Sequence, residues 1–223
     1  MSALIDKVDS KNSLKEVTSQ VFLLPGGVPS SLVSLLMKKA GDLHSTDLVS
    51  SLFFRHFANY GYTDTVTSEL IDQFSRYGYL EGIARTFSFL SHRHIKLTSN
   101  SYQKFLLSLL PVPKYKRVCM NITKEMLLQS FLLSKRTFFK SLSMDGVSDA
   151  DMVVSLLSIT NAEELSIPHI TKALESKMKE FSLSRREVSV WELYKYLCIL
   201  APTEDRSHLV EYLTQSIRYF IER

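Results

Sequence analysis

At 223 residues, with 45% apolar and 11% aromatic side chains, the chain is too apolar to be disordered and long enough for one sizeable domain or about five or six helical hairpins. Only 7 Gly and 6 Pro occur, and period-two alternation is scarce, which favours helices over sheet. Cys119 and Cys198 stand alone, with neither metal-ligand nor disulfide spacing, so a reducing compartment is expected. No apolar run approaches the roughly 18 residues a membrane helix needs. The first residues have no hydrophobic signal-peptide core, and Asp6, Asp9 and Glu16 interrupt the acid-poor pattern of a transit peptide.

Residues 1–29 read as an irregular arm ending in the turn-rich Pro25-Gly26-Gly27-Val28-Pro29. Ser30 or Ser31 is a fitting N-cap for a helix to about Lys39, and Asp47 to Ala58 is its partner through Leu48, Val49, Leu52, Phe53 and Phe57. Apolar residues then recur at helical spacing at Leu70, Ile71 and Phe74, and again at Leu80, Ile83, Ala84, Phe87 and Leu90. Between these runs sits Gly78, the residue type expected just past a helix end, where a positive φ is needed. Two short amphipathic helices joined by so brief a turn pack antiparallel, and their apolar face calls for stacked neighbours.

Ser101 to Leu110 reads as another first helix, stopped by Pro111 and Pro113. From Asn121 or Thr123 a strongly apolar helix is expected to run through Leu142, broken by Met144-Asp145-Gly146. Asp149 to Ser158, Pro168 to Phe181, Val190 to Leu200 and Ser207 to Ile221 read as further helices, with Leu156-Leu157 and Leu197-Cys198 in equivalent places about 41 residues apart. The expected organisation is thus an arm over 1–29, a helical-repeat region over 30–144, and C-terminal hairpins over 145–223.

The Leu70–Leu97 unit resembles a pentatricopeptide repeat. Leu70, Ile71, Asp72, Gly78, Leu80, Glu81, Phe87, Leu90, Ile95 and Lys96 fall where that pattern has a like residue, and Ser101-Tyr102 matches the start of a next unit. Phe105 lies one family period, 35 residues, after Leu70. Val33 to Leu43 has the same first-helix shape, with Gly41 and Leu43 standing for Gly78 and Leu80 at the less regular spacing of 37. The last third resembles, more loosely, the heptatricopeptide and octotricopeptide repeats of organelle RNA proteins. The fold expected is all-α, a short irregular α-solenoid of antiparallel helical hairpins.

Charge is one-sided. From Gly82 to Met144 eleven basic residues face a single acid, Glu125, a net of +10 in a chain whose total is +4. Such a segment repels itself unless a polyanion or an acidic partner offsets it. The densest knots are His92-Arg93-His94-Ile95-Lys96 and Lys114-Tyr115-Lys116-Arg117, both expected in loops or helix ends where long cations reach phosphates. Arg93, Lys96, Lys104, Lys114, Tyr115, Lys116, Arg117, Lys135, Arg136 and Lys140 are the candidate RNA contacts. Tyr102, Phe105, Tyr115, Phe131, Phe138 and Phe139 are interleaved with these cations and could stack on unpaired bases; most of the phenylalanines sit at core spacing, whereas Tyr115 lies among prolines and cations and is the best candidate.

The resemblance implies an RNA-associated protein of the mitochondrial matrix, a structural component of a mitochondrial ribosome that meets rRNA and neighbouring proteins through a basic face. Base reading in that family uses the fifth and last residues of a unit, here Glu69 and Ser99, with Lys104 fifth in the next. Glu69 departs from the family's small polar residue and repels phosphate, so contact through phosphates is expected rather than readout of sequence. The alternative is a protein–protein scaffold, or an accessory subunit of another mitochondrial complex, whose basic segment meets acidic protein. No P-loop, G-x-S-x-G or H-E-x-x-H motif occurs. Cations surround the His92/His94 pair and oppose a metal ion, and Asp149 and Asp151 suit helix capping. No catalytic residue, cofactor, metal or small-molecule substrate is therefore expected.

Overall fold

Short connections between apolar helices oblige each helix to fold back on the last, and they build the molecule pairwise. The computed structural model describes residues 5, 8–23, 26–147 and 150–160, in two compact units that divide between Leu109 and Leu110. The helices expected at 168–181, 190–200 and 207–221 lie outside the described residues. The first unit contains α1 (Lys11–Val21), α2 (Ser30–Asp42), α3 (Thr46–Tyr60), α4 (Asp64–Arg76), α5 (Leu80–His92) and α6 (Ser99–Leu109). In the second, a 3-10 turn at Pro113–Tyr115 leads into α7 (Lys116–Leu128), followed by α8 (Lys135–Leu142) and α9 (Ala150–Ser158). The protein is all-α: among the described residues there is no strand, only an isolated bridge between Leu133 and Thr160.

In the first unit α2 pairs with α3 and α4 with α5, while α4 also packs on α2, α3 and α6. First helices of successive hairpins therefore lie side by side, which is the stacking expected of a solenoid. Leu36, Met37, Leu52, Leu70, Ile71, Phe74, Ile83, Phe87, Leu90, Tyr102 and Phe105 fill the seams and are all buried. Each large apolar side chain removed from water in this way contributes about 1.5–3 kcal/mol.

The helix ends show the repeat more sharply than the apolar pattern does. At the end of α4, Gly78 takes φ 66°, with Tyr79 N–H donating to Phe74 O at 2.8 Å and Gly78 N–H to Ser75 O at 3.2 Å. This pair of bonds satisfies the last orphan carbonyls of the helix. The same pair closes α2, where Ser45 N–H donates to Ala40 O at 3.0 Å and His44 N–H to Gly41 O at 2.7 Å around His44 at φ 50°. Equivalent closures sit at His94 (φ 54°) after α5 and Ser130 (φ 56°) after α7. His44 and Gly78 are 34 residues apart, so the counterpart of Gly78 is His44 rather than Gly41. Gly41 lies inside α2 and serves a different need: a β-carbon there would run into the buried side-chain amide of Gln73 on α4.

Three further expectations are corrected. The arm over 1–29 contains α1, capped by Ser10, whose Oγ accepts from Ser13 N–H at 3.2 Å, and anchored by buried Leu14 and Val21. The single helix expected from Asn121 or Thr123 to Leu142 starts earlier and is two. Pro113 sets up a turn that feeds α7 from Lys116, Ser130 ends it, and Ser134 caps α8 by accepting from Thr137 N–H at 3.3 Å. The region expected to be continuous over 30–144 is divided at 109/110.

The second unit is built around α9, which packs on α7 and α8 and buries Met152, Val153 and Leu156 in a core that also holds Cys119, Ile122, Met126, Phe138 and Leu142. Leu133 N–H donates to Ile159 O at 2.6 Å and ties the α7–α8 connection to the end of α9.

Candidate nucleic-acid interface

Helix N-termini carry about half a positive charge, so acids belong in a first turn and cations do not. In the first unit Asp47 opens α3, Asp64 opens α4 and Glu81 opens α5, while α1 opens on a single cation, Lys11, with no acid in its first turn. Three of its cations meet carboxylates. Arg76 meets Asp42 at 3.0 Å, Arg85 meets Glu81 at 3.1 Å, and the half-buried Lys104 meets Asp72 at 2.6 Å. Asp64 also joins α4 to the start of α6, accepting from Tyr62 Oη at 3.1 Å, Ser101 Oγ at 2.5 Å and Thr98 Oγ1. Burial alone would raise this carboxyl; the hydrogen bonds from Ser101, Thr98, Tyr62 and Asn100 outweigh it and hold it below the ordinary carboxylate value. Burial likewise raises the Tyr62 phenol.

The second unit breaks the rule twice. Helix α7 opens on Lys116-Arg117 and α8 on Lys135-Arg136, and neither first turn holds an acid. Arg117, Asn121 and Lys124 follow one another at helical spacing on α7 and are all exposed, as are Arg136 and Lys140, four apart on α8. Over residues 110–147 seven cations face two acids. Cations gathered where the helix dipole is already positive create an anion-attracting surface that local helix stability does not explain.

The ten sequence candidates therefore do not share one environment. Arg93 and Lys96 are exposed at and beyond the end of α5, as expected of a loop knot. Lys104 is tied to Asp72. Lys114 is exposed with its Nζ 5.5 Å from the Tyr115 ring centroid, Lys116 and Lys135 are half-buried, and Arg117, Arg136 and Lys140 are exposed. Tyr115 is corrected: it is only 9% exposed, because the turn at Pro113–Tyr115 rolls its ring inward, so it offers no open face to a base. Tyr102, Phe105 and Phe138 are fully buried core residues.

A group that the sequence reading passed over lies on the second helices of the first unit. Phe54 of α3 remains 42% exposed although its ring is fixed edge-on against Phe53 (5.2 Å) and Phe89 of α5 (5.1 Å). The Arg93 guanidinium rests over Phe89 at 4.8 Å and over Phe57 at 5.8 Å. Phe54 and Phe89 are 35 residues apart, close to the 34 that separate His44 and Gly78, and that spacing is the signal that would have paired them.

His56, at 3.5 Å from Ser30 Oγ, has its pKa lowered by burial, and the Cys119 thiol is pushed up to about 12 by burial. Among the described residues no group of three His, Cys, Asp or Glu is placed to hold a metal ion, and no helix is long and apolar enough to cross a membrane. No family model matches the chain, and no curated protein or solved structure matches it either.

Proposed function

We propose that this is an RNA-associated helical-repeat protein that binds through phosphates. One observation carries the reading: α7 and α8 each begin with two adjacent cations and no acid, on a segment where seven cations face two acids. Placing a cation at a helix N-terminus costs about 0.3–1 kcal/mol, and a bound phosphate reverses the sign of that term. A polyanion with regularly spaced charges suits two such helix starts better than a single small anion does. The resemblance of residues 70–96 to pentatricopeptide repeats extends the proposal to the mitochondrial matrix and to a structural place in a mitochondrial ribosome, against rRNA and neighbouring proteins.

The scaffold reading has its own support. Leu127, Leu128 and Leu132 stand exposed at the end of α7 and in the connection after it, Leu128 to 76%, a cluster that suits a protein neighbour. Sedimentation of the native protein from cell extract, with and without ribonuclease, separates the two. A large particle that ribonuclease collapses is the expected result. Persistence of the particle after ribonuclease transfers the function to protein scaffolding, and sedimentation as a small free protein in both conditions rejects the ribosomal assignment.

A further inference from the structure

Five cations of the first unit are held in two different ways. Arg76, Arg85 and Lys104 are matched by Asp42, Glu81 and Asp72. Arg93 and Arg55 are held instead by aromatic faces, Arg93 over Phe89 and Phe57 and Arg55 at 4.4 Å over Phe22, and among the described residues neither makes an ion pair. The difference matters chemically. A carboxylate occupies the N–H donors of a guanidinium and cancels its charge, whereas a ring beneath its plane fixes its position and leaves the donors at its edge open. Arg93 is thus pre-positioned, charged and uncommitted, on the surface that also presents Phe54.

Phe54 supplies the second half of the argument. A lone exposed aromatic swings through its rotamers, but this one is wedged edge-on by Phe53 and Phe89, so its remaining open surface has a fixed direction. The same Phe89 ring touches Phe54 and underlies Arg93, which brings a partly exposed aromatic ring and a guanidinium without a carboxylate partner to one shared ring. Burying aromatic surface calls for a flat apolar partner, and Arg93 calls for an anion joined to it at short range. An unpaired nucleotide carries both, a base and its own phosphate. An acidic peptide supplies the anion without the flat face, and a duplex supplies the phosphate without an accessible base.

We infer that Phe54 and Arg93, organised around Phe89, form a clamp for one unpaired nucleotide of a single-stranded RNA: the base stacks on Phe54 and the phosphate meets Arg93. This rests on the RNA reading and deepens it, since it separates a stacking site on α3 and α5 from the phosphate-attracting starts of α7 and α8.

The test is fluorescence anisotropy of the full-length chain with a labelled 12-nucleotide single strand and with a blunt-ended RNA duplex of equal charge, at several salt concentrations. Phe54→Ala is expected to weaken single-strand binding about tenfold or more at every salt concentration, in keeping with the loss of one base–aromatic stack, and to leave duplex binding unchanged. Phe54→Leu, which keeps the packing against Phe53 and Phe89, is expected to behave like Phe54→Ala, and Phe54→Tyr to restore binding. Arg93→Gln is expected to lower the slope of log affinity against log salt by about 0.7, the share of one single-strand phosphate. If Phe54→Leu binds the single strand as well as the unaltered protein, or loses duplex and single strand alike, the clamp is overturned while the RNA reading stands. If the unaltered protein binds neither RNA, both fall together.

Discussion

Arg117→Glu tests the reading of the second unit at its root, because it makes opposite predictions for stability and for binding. Arg117 is exposed in the first turn of α7, next to Lys116, and no acid in that turn offsets the pair. Removing the cation relieves about 0.3–1 kcal/mol, and installing an anion adds a favourable term of the same size; exposure and salt screening place the sum near ~1 kcal/mol at low salt. With a urea slope of about 2 kcal/mol per M, the denaturation midpoint rises by about 0.5 M. Arg117→Gln gives about half of that, and both gains shrink in 0.5 M NaCl, where screening reaches about 4 Å. RNA affinity moves the other way, and the salt slope falls by about 0.7–0.9, one phosphate contact. Urea unfolding followed by circular dichroism, paired with anisotropy on the same samples, reads both quantities. A variant that unfolds at or below the midpoint of the unaltered protein at low salt refutes the helix-dipole argument. A variant that is stabilised but binds RNA with the same salt slope refutes the assignment of that charge to RNA.

Gly78→Ala forces a β-carbon onto a left-handed residue at the end of α4. The added β-carbon meets nothing within 4 Å, so the loss measures the left-handed backbone alone, about 1–2 kcal/mol by urea midpoint, and a loss beyond about 3 kcal/mol points to packing that the structure does not contain. His56 has a folded pKa below its ordinary 6.5, so it favours the neutral fold fully above that pH, and stability declines as the pH falls from 6.5 through the lower folded value. His56→Gln is therefore expected to flatten the midpoint-against-pH curve between pH 7 and 5, and an unchanged curve removes His56 as its cause. With its thiol pushed up to about 12 and its side chain buried, Cys119 is expected to resist iodoacetamide at pH 8 until urea unfolds the second unit, as read by mass spectrometry of its peptide. Alkylation of Cys119 in the folded protein contradicts that placement.

How much of this was legible in the sequence depends on what each feature advertises. The α4–α5 hairpin was read correctly because its apolar spacing is dense and Gly78 is an unmistakable stop. Helix α1 was missed because its apolar content is only Leu14, Val17 and Val21 among polar neighbours, enough for one narrow face once another helix covers it. The break between α7 and α8 was missed because its left-handed residue is Ser130 and no glycine or proline marks it. Gly41 misled for the converse reason: a glycine chosen for close helix approach looks in sequence like one chosen for its φ. The surplus of positive charge was plain. Its sorting into cations matched by carboxylates, cations held on rings and cations stacked at helix starts was not, since that depends on side chains a whole repeat apart.

The polar ties between helices of the first unit have a consequence for how the protein is made. Lys104 reaches back 32 residues to Asp72, Arg76 reaches 34 to Asp42, and Ser101 reaches 37 to Asp64. The principal helix contacts, too, stop at the neighbour or next neighbour. Closing such short loops costs little chain entropy, and topology of this kind folds quickly. A nascent chain therefore gains each new hairpin as soon as some forty residues beyond its predecessor have emerged, docking it onto a surface that is already built. Nascent chains stalled once residue 92 has emerged from the ribosome are accordingly expected to shield α2 to α5 from protease while the remainder has yet to emerge.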